Sequence, residues 1–328
     1  MPSFLRSLPV LLLLLAGLTG RAAAADVPPL TLAVSRGSVS MLVYVAEARR
    51  YFADEGVDLR TVNCTSGRAC LGLVGDGLAD LGTAAELAVV LAGGGVAGAR
   101  PDLAIVGSIS TSPNQLKLIA RRSAGITQAA DLADKRIGTV GGTSAQYFLV
   151  SWLQHHGIAG ARLQFMAPEQ LSAALHAGVV DAIAIWEPIA TLAQRELRGD
   201  AVELPGAGVY TQHFVLAGAQ RVLRDKEEAL QRLMRALLRA QQYVADEPAK
   251  AAQILATRLG MQPADAARFV NDHDYRLRLD ATLLPTMSAQ ARWAVREGLL
   301  PAEAAVLSPA RFVDARLLAR LAPSAVAR

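Results

Sequence analysis

Aromatic residues make up only 5% of the 328 residues. A core short of large rings has to be assembled from Ala, Leu, Val and Ile. Charged residues are few as well, at 19% against 52% hydrophobic. That balance excludes a disordered tail protein and allows a large buried core. The length suits about two domains. Neither sign of charge dominates. The formal net charge is +4, and leaving out Arg6 and Arg21 reduces 33 basic residues to 31 against 29 acidic ones, or +2. So small an excess makes no nucleic-acid footprint. Long apolar runs are missing too. Leu8–Leu15 is shorter than the roughly 20 residues a membrane span needs. Leu87–Ala99 and Val179–Ala193 are too short or are broken by Asp181 and Glu187. No membrane span is expected in the mature chain.

Cysteine is confined to Cys64 and Cys70. Two cysteines with no nearby His cannot complete four zinc ligands, so no metal site is expected. The five histidines are scattered, and the adjacent His155 and His156 face different sides of a helix. The chain contains no Gly-x-Ser-x-Gly elbow, no His-Glu-x-x-His and no Cys beside a plausible base. Asn271-Asp272-His273-Asp274 looks catalytic on paper, but it falls in a helical tail and reads as a solvated loop. No catalytic residue and no cofactor is expected.

Residues 1–25 do read as a secretory signal peptide. Arg6 supplies the positive end, Leu8–Leu15 the apolar stretch, and Ala23-Ala24-Ala25 a small-x-small cleavage site with a mature start near Asp26. Leu18 follows Ala16-Gly17 where a lipid-anchored protein would carry Cys. In an exported chain Cys64 and Cys70, with five residues between them, are expected to form a local disulfide, with two buried free thiols as the alternative.

Further along, Leu30–Val34 reads as a strand and Ser35-Arg36-Gly37-Ser38 as a turn. Met41, Leu42, Val45, Ala46 and Phe52 recur at helical spacing, Gly56 stops that helix, and Val57–Val62 starts a second strand. Further helices are expected over Arg68–Gly77, Leu87–Leu91, Ala145–His156 and Gln170–Ala177. Further strands are expected near Leu81, over Leu103–Ile109, Leu116–Ala120, Lys135–Val140 and Leu163–Met166, within Gly178–Ile185, and over Phe214–Ala217. After that the chain is helical, over Lys226–Glu247, Pro248–Leu259, Pro263–Asp272 and Leu284–Glu297. The alternation argues an α/β fold with mostly parallel sheets and a helical tail packed outside them. No disordered linker divides it, so two lobes can be made by a chain that crosses between them more than once.

In open α/β sheets, ligands bind beyond the carboxyl ends of strands. Four turns hold such positions: Arg36-Gly37-Ser38, Thr83-Ala84-Ala85-Glu86, Gly142-Thr143-Ser144 and Trp186-Glu187. The third says most. A strand, two glycines, Thr-Ser and then a helix present free amides at the positive end of a helix, and both favour an anion. An ordinary N-cap uses the same residues, and the Lys-Ser/Thr ending of a phosphate loop is absent. Arg36 can pair with an anion in bidentate fashion or be a solvated loop residue. Trp186 can wall a pocket or sit in the core. Glu187 before Pro188 can lock a turn or bridge lobes. Asn114 is either a hinge or ligand donor or a plain turn residue.

Tyr44–Glu47 through Tyr51–Val57 is similar to a helix ending in G-[YF]-F-x-x-E-G, with Arg50 in place of the Gly. Gly67–Leu71 through Gly77–Glu86, Leu132 through Gly138, Gly142–Ala145, and Gly178–Ala182 with Trp186-Glu187-Pro188 add further motifs in order. From about Leu30 to Leu300 the chain thereby resembles the periplasmic substrate-binding proteins of nitrate/sulfonate/taurine-type ABC importers. That group includes thiamine-precursor-synthase-like proteins. The resemblance implies a type II periplasmic-binding-protein fold, with two α/β lobes of mixed, mostly parallel sheets and a two-segment hinge. Lobe I would be 26–113 and 214–328 with the C-terminal helices, and lobe II 114–213, with crossovers near Thr111–Leu116 and Gly208–Phe214. Carried over by position, Ser38, Thr83, Ala85, Asn114, Thr143, Ser144 and Trp186 would line the cleft, with Arg36 and Glu86 beside them and Gly142 and Glu187 in the neighbouring turns.

The ligand implied is a small organic anion, sulfonate- or taurine-like or nitrate-like. Its head would sit on Thr143-Ser144 and its tail against Trp186. A periplasmic monomer would capture it by closing and deliver it to an inner-membrane permease. Two other classes share the resemblance. One is a thiamine-pyrimidine-type enzyme, which would need a Cys/His-rich segment. The other is a binding partner of a sensor.

Overall fold

Two runs of strands, each interleaved with helices, form two five-stranded sheets in the computed structural model, which describes residues 27–94, 103–206, 208–306 and 308–327. The export segment expected over 1–25 lies outside those residues. The first run is β1 (Leu30–Ser35), α1 (Met41–Ala48), α2 (Tyr51–Asp54), β2 (Leu59–Cys64), α3 (Gly67–Gly75), β3 (Leu81–Ala85), α4 (Glu86–Gly93) and β4 (Leu103–Ser112). The chain then enters the second sheet with β5 (Leu116–Arg121), β6 (Arg136–Thr139), α5 (Ser144–His155), β7 (Arg162–Phe165), α6 (Pro168–His176), β8 (Ala182–Trp186), α7 (Ile189–Leu197) and β9 (Ala201–Leu204). It returns to the first sheet with β10 (Gln212–Ala219). The helical region follows as α8 (Gln220–Asp225), α9 (Glu227–Asp246), α10 (Pro248–Leu259), α11 (Pro263–Asp272), α12 (Leu283–Arg296) and α13 (Arg316–Leu321).

The strand orders are β2-β1-β3-β10-β4 and β7-β6-β8-β5-β9. In the first, β1 runs parallel to β2 and β3, and β10 antiparallel to β3 and β4. The second repeats the scheme, with β6 parallel to β7 and β8, and β5 antiparallel to β8 and β9. In each sheet four strands therefore run one way and a single strand, β10 or β5, runs against them, so the sheets are mixed and mostly parallel, as the alternating pattern suggested. The antiparallel pairs belong to strands that leave or enter a sheet through the crossings, and a sequence pattern does not reveal that reversal.

Burial separates two cores. One joins Leu30–Ile109 to Phe214–Leu318, and the other lies within Leu116–Tyr210 on both faces of the second sheet. β1 and β8 are almost wholly buried and read as continuous apolar runs. The edge strands β2, β7 and β9 are half-exposed. β4 is also an edge strand, yet all ten of its residues are buried. Bridges from Asp274, Arg278 and Val313 of the C-terminal region cover it.

The helix read from Met41 to Phe52 is broken at Arg50, which separates α1 from α2. Arg50 has φ 61, in the left-handed region, so it occupies a conformation that glycine adopts without penalty. This is the position where the resembling motif carries Gly. Arg50→Gly is therefore expected to raise stability by up to about 1 kcal/mol, read as a higher urea midpoint. A lower midpoint would contradict the strain argument.

Candidate functional site

The carboxyl ends of parallel strands from both sheets meet at one cleft. Ser35-Arg36-Gly37 ends β1, Ala85 ends β3, Gly142–Ser144 follows β6, and Trp186-Glu187 ends β8. All of them line one cavity. Gln115 and Gln212, from the two crossings between the sheets, line it as well. Val39, Ala88 and Phe214 join Ala85 and half-buried Trp186 to make much of the wall apolar.

Gly142 turns the chain into α5 with φ 65. Its amide donates to Gln146 Oε1 at 2.8 Å. Thr143 is the N-cap. Its Oγ1 accepts from the Ala145 amide at 3.3 Å and donates to the Val140 carbonyl at 2.7 Å. The Thr143 hydroxyl proton is thus spent inside the turn. The first amides of a helix have no intrahelical acceptor. Those of Thr143 and Ser144 meet no acceptor among the described residues and stand at the cavity wall, at the positive end of a twelve-residue helix. Ser144 Oγ accepts from Gln212 Nε2 at 2.8 Å, which leaves its own proton for a guest.

Glu187 is committed elsewhere. Its carboxylate accepts from the Thr191 amide at 3.0 Å, from Thr191 Oγ1 at 2.8 Å and from Arg268 Nη2 at 3.2 Å. Burial pushes its carboxyl up, while Thr191 and Arg268 pull the other way. Glu187 thereby joins α11 to the second sheet, the bridging role open to it in the sequence.

Three expected lining residues stand off the cavity wall. Ser38 is fully buried in a 3-10 turn, with its carbonyl accepting from Tyr275. Thr83 is fully buried and its Oγ1 accepts from the Ser35 amide at 2.9 Å, bracing the turn behind Arg36. Asn114 donates its amide to Ser112 Oγ, and the next residue, Gln115, lines the cavity in its place.

The loop after β2 was missed. Ser66, Gly67 and Arg68 line the cavity, and the rule about strand carboxyl ends applies to β2 as much as to the four turns named from the sequence. Cys64 and Cys70 are bonded across this loop, with Cα atoms 5.5 Å apart. Arg36 and Arg68 are both exposed at the cavity, and neither forms an ion pair among the described residues.

Two buried ionisable groups lie behind the site. Glu86, expected near the cleft, is fully enclosed and accepts from the Tyr210 hydroxyl, from Gln290 Nε2 at 2.8 Å and from the His213 amide at 3.1 Å. Burial raises its carboxyl to about 7. His273 is not in a solvated loop, as its polar neighbours in the sequence suggested. It is buried at the end of α11, with Nδ1 2.9 Å from the Phe269 carbonyl and Nε2 2.7 Å from Gln115 Oε1. Burial lowers its imidazole to about 4.

Two α/β lobes joined by two crossings around a shared cleft define a periplasmic-binding-protein fold. Residues 38–251 match the family model described as NMT1/THI5 like, and the chain belongs to that family. No curated protein matches it in sequence. Three solved structures are similar in fold. The alkanesulfonate-binding protein SsuA from Xanthomonas axonopodis pv. citri, bound to MOPS, is 24% identical over 89% of this chain and 100% of that one, with a TM-score of 0.76. The periplasmic nitrate-binding protein NrtA from Synechocystis PCC 6803 is 13% identical over 91% and 89%, with a TM-score of 0.75. The desulfurization enzyme DSZB is 17% identical over 88% and 98%, with a TM-score of 0.62.

Glu86 gives a testable pH dependence. Its carboxyl keeps a proton to about 7 when folded, against 4.5 as the ordinary value. Stability therefore falls as pH rises through that interval, by about 3 kcal/mol for this group alone. His273 acts in the opposite sense, costing stability as pH falls from 6.5 towards 4. Glu86→Gln removes only the first effect. The melting temperature of Glu86→Gln minus that of the wild type should grow from pH 5 to pH 7 and then level off. A difference that is flat with pH would contradict the burial argument.

Proposed function

We propose that this chain is the solute-binding component of an ABC importer and that it binds a small organic anion with a sulfonate-like head. In this reading residues 1–25 direct export to the periplasm and are removed. Lobe I (26–113 and 214–328) and lobe II (114–213) close over the ligand, and an inner-membrane permease receives it. The carrying observation is the Gly142–Ser144 turn. Its unclaimed amides and the Ser144 hydroxyl stand at the wall of a cleft shared by both sheets. Hydrogen-bond donors with positive dipole sense suit an oxyanion, and the apolar wall formed by Trp186 and Phe214 suits an organic tail better than a bare inorganic ion.

The similarity to an alkanesulfonate-binding protein supports this choice of ligand, and the similarity to a nitrate-binding protein supports an anion. DSZB is an enzyme of similar fold, so capture and turnover need separate tests. Among the described residues the one carboxylate at the cavity wall, that of Glu187, is already held by Thr191 and Arg268, which favours capture.

A thermal-shift panel of taurine, alkanesulfonates, nitrate, bicarbonate and a thiamine-like pyrimidine tests the reading, because a ligand bound only by the folded form raises its melting point. Alkanesulfonates should give the largest shifts, and the bound compound should be recovered chemically unchanged by mass spectrometry. Ser144→Ala should weaken sulfonate binding by about three- to tenfold, the worth of one hydrogen bond. Trp186→Ala should weaken butane-1-sulfonate more than methanesulfonate. Shifts with cationic or uncharged compounds alone would contradict the proposal, as would unchanged affinity in Ser144→Ala.

A further inference from the structure

Arg68 sits in the first turn of α3, on the first lobe. Its Nη1 nevertheless lies 3.1 Å from the point a Cβ on Gly142 would occupy, so the guanidinium crosses the cleft and rests against the turn of the second lobe. Gly142 suits this approach twice over: its φ of 65 disfavours a side chain, and a side chain would press on Arg68. No acidic partner neutralises Arg68 or Arg36 among the described residues, and Glu187 is already engaged by Arg268. In the absence of a guest, a guanidinium and the positive end of α5 therefore face each other across the cleft. Two positive elements at that range repel.

We propose that Arg68 supplies the counter-charge to the ligand's acidic head from the opposite lobe, and that this makes closure depend on an anion. The inference rests on the anion-binding reading above and adds the residue and the reason for closure. The head is held on one side by the amides of Thr143 and Ser144 and by the Ser144 hydroxyl. On the other side it is held by the Arg68 guanidinium. The anion replaces repulsion between the lobes with attraction on both sides. It therefore binds the closed state far better than the open one, and only such differential affinity can shift the equilibrium. A neutral molecule of the same shape leaves the repulsion in place.

Isothermal titration with butane-1-sulfonate, on the wild type, Arg68→Gln and Arg68→Lys, tests this. Arg68 is exposed and outside both cores, so the variants should melt as the wild type does, which circular dichroism checks. Arg68→Gln should weaken binding by about ten- to a hundredfold, the worth of a charge-assisted hydrogen bond. Arg68→Lys should recover part of the loss, since it keeps the charge without the fork. Raising the salt should weaken wild-type binding more steeply than that of Arg68→Gln. Equal affinity and equal salt dependence in wild type and Arg68→Gln would overturn the role of Arg68 and leave the anion-binding reading standing. A wild type that binds no sulfonate would overturn both.

Discussion

The antiparallel pairing of β4 with β10, from Leu103 opposite Ala219 to Ser112 opposite Gln212, places the exit from the first sheet beside the return to it. Every residue of both strands is buried. The pairing carries two bulges, between Phe214 and Val215 and between Leu216 and Ala217, which add twist to the ribbon that joins the sheets. The chain crosses from the first sheet to the second between Ser112 and Leu116, and β9 is followed by the return to β10. The same pairing brings Gln115 and Gln212 together at the cavity, where one contacts His273 and the Glu187 carbonyl and the other contacts Ser144. The crossings thus both link the sheets and form part of the cavity wall.

A second set of contacts joins the lobes at α11, which packs on α10 in the first core. Arg268 reaches Glu187 and Thr191, Asp265 pairs with Arg195 at 2.6 Å, and His273 meets Gln115. These contacts are unequal in weight. Arg195 is 47% exposed, so its pair contributes little in water. Glu187 is 2% exposed, and loss of Arg268 would leave a buried carboxylate uncompensated. The Arg268–Glu187 pair is therefore the contact whose breaking matters most to the arrangement around Trp186. Glu86 plays a comparable part on the other side, tying α4 to Tyr210 in the return crossing and to Gln290 on α12.

Local patterns explain what could be read from the sequence. The central strands are buried on both faces and announce themselves as apolar runs. The Gly-Gly-Thr-Ser turn is legible because a strand, a left-handed glycine and an N-cap are neighbours in the chain. The edge strand β9, four residues long and half-exposed, has no such signature. Nor does α7, whose half-buried face follows a strand and a Pro with no clear start signal. The polar partners around the cleft were out of reach for another reason. Gln115 and His273 are 158 residues apart, and Glu86 and Gln290 are 204 apart. Only the folded topology brings them together, so His273 read as a solvated loop residue and Glu86 as part of a cleft turn. Arg68 falls at the start of a helix in the sequence, and only the folded topology sets it against Gly142, 74 residues further on.

Small-angle X-ray scattering reads the distance between the lobes most directly. The chain would be measured alone, with saturating butane-1-sulfonate, and with butan-1-ol at the same concentration. The account predicts a smaller radius of gyration with the sulfonate and none of that contraction with the alcohol. A radius unchanged by bound sulfonate, or reduced equally by the neutral alcohol, would contradict it.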